Sequence, residues 1–185
     1  MGQEIKFTQE QMKLIEKYRD INTEDEFWHE FLIDDFVDQM RELGLKEVKL
    51  SYSGFWSQGD GASFTGRVQD TKKFLIETMG LNPLIAKALE DSITIDFDRT
   101  THHYVHEKTC RTNVYWNGEE EIVLLDRLDI EIKFNAEEFV EDLESKIEDW
   151  RYSTCKEIYR SLGKEWDRLS SDEEVWETLQ ANEIV

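Results

Sequence analysis

Positive charge is scarce in this chain: 22 Lys and Arg stand against 42 Asp and Glu, a formal net charge of −20 over 185 residues. Binding a polyanion needs clustered bases, so the balance excludes a direct nucleic-acid binder and disfavours anionic membrane surfaces. Long apolar runs are missing as well. No stretch approaches the roughly 18 residues of a membrane span, and no signal peptide opens the chain, so a place in the cytoplasm of a bacterial host is expected. Cysteine is limited to Cys110 and Cys155, far apart in sequence, which reads as a reduced thiol pair. Internal repeats and low-complexity linkers are absent.

What remains is ample for a core. Six Trp, six Tyr and ten Phe, with a hydrophobic fraction of 39%, separate the chain from disordered acidic tails. Its length suits one domain, taken as residues 1–185.

Periodicity predicts an α+β fold. Thr8 and Gln11 are spaced as a capping box for a helix to about Asp20, with Met12 and Ile15 on its buried stripe. A second helix begins near Thr23, carries Phe27, Phe31, Phe36, Met40 and Leu43, and closes at Gly44. From Leu45 the period is two, and 62–68 reads as the partner strand. Residues 71–90 predict one or two helices broken at Asn82-Pro83. Alternation resumes at Ile93, runs through 102–115 and 122–134, and has a hairpin signal at Asn117-Gly118. Four or five antiparallel strands result. The final third is helical from near Asn135, with Phe139, Leu143, Ile147, Trp150, Ile158, Leu162 and Trp166 forming a stripe wide enough to cover a sheet face. Ser171 and Glu174 then cap a last helix.

The acid is unevenly spread. Residues 1–44 carry −7, 45–90 carry +1, 91–134 carry −5 and 135–185 carry −9. The nearly neutral quarter holds the most distinctive segment, SYSGFWSQGDGASFTG, Ser51 to Gly66.

Several chemistries fail on this segment. Gly54 and Gly59 have the spacing of a phosphate loop, but Asp60-Gly61 replaces the Gly-Lys-Ser/Thr continuation and a strand follows instead of a helix. Ser57 lacks the flanking glycines of a nucleophile elbow. Asp60 is the lone carboxylate, too few for calcium. Gln58-Gly59-Asp60-Gly61 reads instead as a hairpin connection whose glycines supply positive φ. Phe55 and Trp56, adjacent in an extended segment, face opposite sides, so one of them is free for a partner. Outside this segment, His102, His106 and Cys110 share a parity on the expected strand and are candidate zinc ligands. Acidic pairs elsewhere read as solvated helix faces and caps.

The stretches YSGFWSQGDGASFTG, HHYVH, LSSDEEVWETLQANE and KYRDINTEDEFWHEFLIDDF together resemble a family of phage and prophage proteins labelled antitoxins of toxin–antitoxin stability systems. The matching positions are Gly54, Phe55, Trp56, Ser57, Gln58, Gly59, Asp60, Gly61 and Phe64, then His102, His103, Tyr104 and His106. That resemblance implies a small phage-type protein that acts by binding.

The expectation is a non-enzymatic, acidic inhibitor of a host protein with a basic surface: a toxin, nuclease or defence factor. Phe55, Trp56, Ser57, Gln58, Asp60 and Tyr104 are its candidate partner-binding residues, and no cofactor is expected. One alternative is a metal-binding or catalytic protein using His102, His106 and Cys110. Another is a DNA mimic: 20 phosphates span on the order of 34 Å of duplex, against a radius of gyration of roughly 16 Å for a chain of this length.

Overall fold

The computed structural model describes residues 6–55, 57–101, 103–117 and 136–185. The expected strand 122–134, the turn at Asn117-Gly118, and Trp56 and His102 lie wholly or partly outside the described residues. Within them the fold is α+β, with six helices and one four-stranded antiparallel sheet.

The chain divides into two compact units, residues 35–159 and residues 1–34 with 160–185. The larger holds the sheet, with strands β1 (Leu45–Ser53), β2 (Gly61–Val68), β3 (Ile93–Arg99) and β4 (Cys110–Trp116) in spatial order 1-2-3-4. Between β2 and β3 come helices α3 (Thr71–Met79) and α4 (Pro83–Leu89). Asn82 caps α4 by accepting from Leu84 N at 2.9 Å, with Pro83 at the first helical position, where its missing N–H costs nothing.

One residue of β1 is extra. Lys46 pairs with Arg67 but Lys49 with Thr65, and Glu47 sits in this bulge at φ 55. Gly44, just before β1, has φ 94, and a Cβ there would come 2.9 Å from Asp70 Cβ. Only glycine fits that turn.

The core lies on one face of the sheet. Phe64 of β2 and Phe97 of β3 have ring centroids 5.1 Å apart, and both meet Trp150 of the long helix α5 (Ala136–Leu169), at 5.9 and 5.5 Å. Phe74 of α3 meets the same indole edge-on at 5.1 Å. The wide apolar stripe of α5 thus packs on β2, β3 and α3, with Leu143, Ile147 and Ile158 almost fully buried.

The smaller unit contains α1 (Gln9–Lys17), a 3-10 turn (Glu26–His29), the start of α2 (Glu30–Glu42), the end of α5, and α6 (Asp172–Ala181). Thr8 and Gln11 form the expected capping box. Ile15, Val175 and Leu179 make its core with Phe7 and Trp176 packed against them. Trp28 meets Trp166 edge-on at 5.5 Å. Met12 is 37% exposed instead of buried, and the second helix starts later than expected: Asp25 caps the 3-10 turn by accepting from Phe27 N at 3.0 Å.

The strand expected over 102–115 begins only at Cys110. Upstream, His106 Nδ1 accepts from Lys108 N at 3.1 Å and Thr109 Oγ1 accepts from His106 N at 3.1 Å, closing a 3-10 turn over Glu107–Thr109. These side chains take up backbone groups that a ladder would have used. No described helix is long and apolar enough to cross a membrane.

Candidate functional site

Three pieces of the larger unit converge: the glycine-rich connection 54–60, the loop 100–109, and the stretch of α5 around Tyr159. Ser53 pairs with Gly61 at the hairpin neck. Asp60 folds back on its own loop, its Oδ2 accepting from Ser57 N at 2.6 Å while its N–H donates to Ser57 O at 3.1 Å. Gly59 supplies the turn with φ 103. Asp60 therefore shapes the connection, and Ser57 and Gln58 stand exposed at its tip.

The 100–109 loop is fastened to this neck. A Cβ on Gly61 would lie 2.9 Å from His106 Cα, so the two backbones touch. Ser53 Oγ donates to Val105 O at 3.0 Å and accepts from Gly61 N at 3.3 Å. Arg99 donates to Ser51 Oγ at 3.3 Å and to Tyr104 O at 3.4 Å. Ser51, Ser53 and Gly61 of one motif and Tyr104, Val105 and His106 of the other are thus brought together. Tyr104 is 67% exposed.

Phe55 is 8% exposed, its ring stacked on Tyr52 at 5.8 Å and on Tyr159 at 5.6 Å, with interplanar angles of 25° and 26°. Burial, with the negative charges of Asp60 and Glu107, pushes the Tyr159 hydroxyl above the ordinary tyrosine range. It stays a donor at neutral pH.

Tyr159 belongs to a polar stripe on α5, with Cys155 and Arg151 at successive four-residue steps. Arg151, 4% exposed, donates to Glu107 O and to Glu148, whose Oε2 also accepts from Thr112 Oγ1 at 2.6 Å. Burial opposes ionisation of Glu148, but the bonds from Arg151 and Thr112 prevail and hold its carboxyl below the usual range. Cys110 and Cys155 are both free, buried and hydrogen-bonded to each other. That bond draws Cys110 down and Cys155 up, and burial adds to the rise at Cys155.

Of the candidate zinc ligands, Cys110 is on β4 with its thiol donating to Phe64 O at 3.2 Å, and His106 is engaged by Lys108 N with Glu107 Oε2 3.0 Å from its Nδ1. Among the described residues, no three His, Cys, Asp or Glu side chains group to hold a metal ion. Sequence reasoning missed Tyr159, Arg151 and Glu148. Their helical spacing, three residues from Glu148 to Arg151 and two four-residue steps on to Tyr159, was the available signal, masked by the apolar stripe beside it.

Comparison with known proteins adds two findings. A threonine–tRNA ligase of Geobacter sp. (strain M21) is 26% identical over 162 residues, covering 85% of this chain and 24% of that protein. The chain thus spans about a quarter of that relative's length. No solved structure matches. A family model described as a domain of unknown function, DUF8835, matches residues 28–172, and the chain belongs to that family.

Proposed function

We propose that this chain is a non-enzymatic binding protein that inhibits or neutralises a basic bacterial protein, a toxin, nuclease or defence factor, inside the host cell. The observation that carries the reading is Tyr104. It is 67% exposed on a loop locked to the hairpin neck through Ser53, Arg99 and Gly61, which makes it a preorganised aromatic contact. A net charge of −20 supplies the complementary field that steers a basic partner onto it. The resemblance to phage and prophage antitoxin-labelled proteins supports the same class of action. Trp56, in the SYSGFWSQGDGASFTG segment, is a further candidate contact.

The printed name of the Geobacter relative raises tRNA as a ligand. The charge opposes that for this chain, because an RNA backbone would be repelled by it.

The test is capture from bacterial lysate on immobilised protein, followed by titration of the purified captured protein's activity. A basic partner, inhibited at one-to-one stoichiometry and captured about tenfold less by Tyr104→Ala, fits the reading. Capture that is indifferent to Tyr104→Ala, or an uninhibited partner, contradicts it.

A further inference from the structure

The smaller unit carries a second unclaimed surface. Phe27 is 65% exposed and Phe31 is 58% exposed, four residues apart across the junction of the 3-10 turn and α2. Their exposure is fixed by their neighbours. Asp25 accepts from Phe27 N and sets the turn, while Trp28 packs inward on Trp166 at 5.5 Å. With Trp28 committed inward, Phe27 and Phe31, both turned to the same side of it by roughly 60–100° in the helical phase, stay in solvent.

Two exposed phenyl rings in one patch ask for a cover. At about 60% exposure each, they offer on the order of 200–300 Å² of apolar surface. Along their own stretch of chain the charge is of one sign: residues 20–34 contain six Asp and Glu and no Lys or Arg. Glu24, Asp25, Glu30 and Asp34 are themselves exposed.

We infer that Phe27 and Phe31 are the apolar anchor of a docking surface for a basic, amphipathic protein segment, one with an apolar face flanked by Lys and Arg. Charge decides among the occupants. A second copy would bring two acidic collars into contact, and like charges facing each other across an interface oppose association. An anionic membrane is repelled in the same way. A basic segment gains on both counts, with rings in the centre and carboxylates at the rim. This surface is made of other residues than the Tyr104 loop, and the inference rests on the reading of the chain as a binder of basic proteins.

The experiment uses two labelled 14-residue probes of equal positive charge, one of Leu and Lys in amphipathic helical order and one of Lys with Gly and Ser, titrated by fluorescence anisotropy at low salt against the full chain. The expected result is at least tenfold tighter binding of the Leu/Lys probe, with the preference abolished in Phe27→Ser/Phe31→Ser while the Lys/Gly/Ser probe binds as before. Circular dichroism confirms folding. Where the double variant unfolds, Phe31→Ser alone must lose most of the preference. A preference that survives in the folded variant, or no preference in the wild type, overturns the docking surface. So does a concentration-dependent dimer in sedimentation that the double variant abolishes, because it assigns the rings to a second copy. Failure confined to the preference leaves the acidic-binder reading standing. If neither probe binds, that reading falls too.

Discussion

The ring of Phe55 stacks on that of Tyr159, centroids 5.6 Å apart and planes 26° apart, and so ties the tip of the β1–β2 hairpin to helix α5. Tyr52 also stacks on Phe55, at 5.8 Å. The glycine-rich connection is therefore anchored by a ring that its sequence seemed to offer to a partner. Phe55→Ala should cost about 3 kcal/mol in urea unfolding, as for other buried Phe truncations. A loss below about 1 kcal/mol would show that the stack is not maintained in solution.

The close approach of Gly61 to His106 predicts different outcomes at two neighbouring glycines. Gly61→Ala places a methyl 2.9 Å from His106 Cα, so the 100–109 loop must move. Destabilisation of about 1–3 kcal/mol is expected, with shifted Tyr104 and His106 resonances in NMR spectra. Gly59→Ala has open space but φ 103, so it should cost about 1 kcal/mol through backbone strain and leave those resonances in place.

Acid stability should depend on Glu148. Its folded carboxyl lies below the ordinary range, so its contribution is complete above the unfolded pKa of about 4.3 and is lost as pH falls through the folded value. Glu148→Gln should flatten the stability profile between about pH 5 and pH 3, measured by urea unfolding at each pH. At the alkaline end the sign reverses. Tyr159 titrates above the usual tyrosine range, so its contribution persists below pH of about 10 and fades above it, and Tyr159→Phe should remove one tyrosine's step above that pH from the phenolate absorbance titration.

The paired thiols should be silent in the folded protein. Both are buried, and Cys155 is held protonated by burial and by its bond to Cys110. Reaction with a thiol-specific aromatic disulfide should proceed at the unfolding rate, and under mild urea Cys110 should label before Cys155. Fast labelling of Cys155 in buffer would contradict the packing.

Much of the architecture was legible because local chemistry determines it. Thr8 with Gln11, the turn at Gly44, Asn82-Pro83, the alternations from Leu45 and from Ile93 and the partner strand at 62–68 each act within a few residues of themselves. What escaped depends on distant contacts or on competition. Phe27 and Phe31 share the helical spacing of Met40, yet periodicity cannot say which of two apolar sides is buried, and Trp28 takes the inside. The strand through His106 failed because His106 and Thr109 bond their own backbone. Phe55 looked available because its partner Tyr159 lies about a hundred residues away, and the Cys110–Cys155 pairing likewise joins β4 to α5. Glu47 at φ 55 carries no sequence signal, since glycine or asparagine is the usual occupant there.

The account's central claim is that an acidic surface grips a basic partner around preorganised aromatic contacts. Calorimetric titration of the captured partner at about 50 and 500 mM salt tests it most directly. Affinity should fall by roughly a hundredfold or more between the two, with Tyr104→Ala weakening binding about tenfold at both. Affinity that is the same at the two salt concentrations would contradict the account.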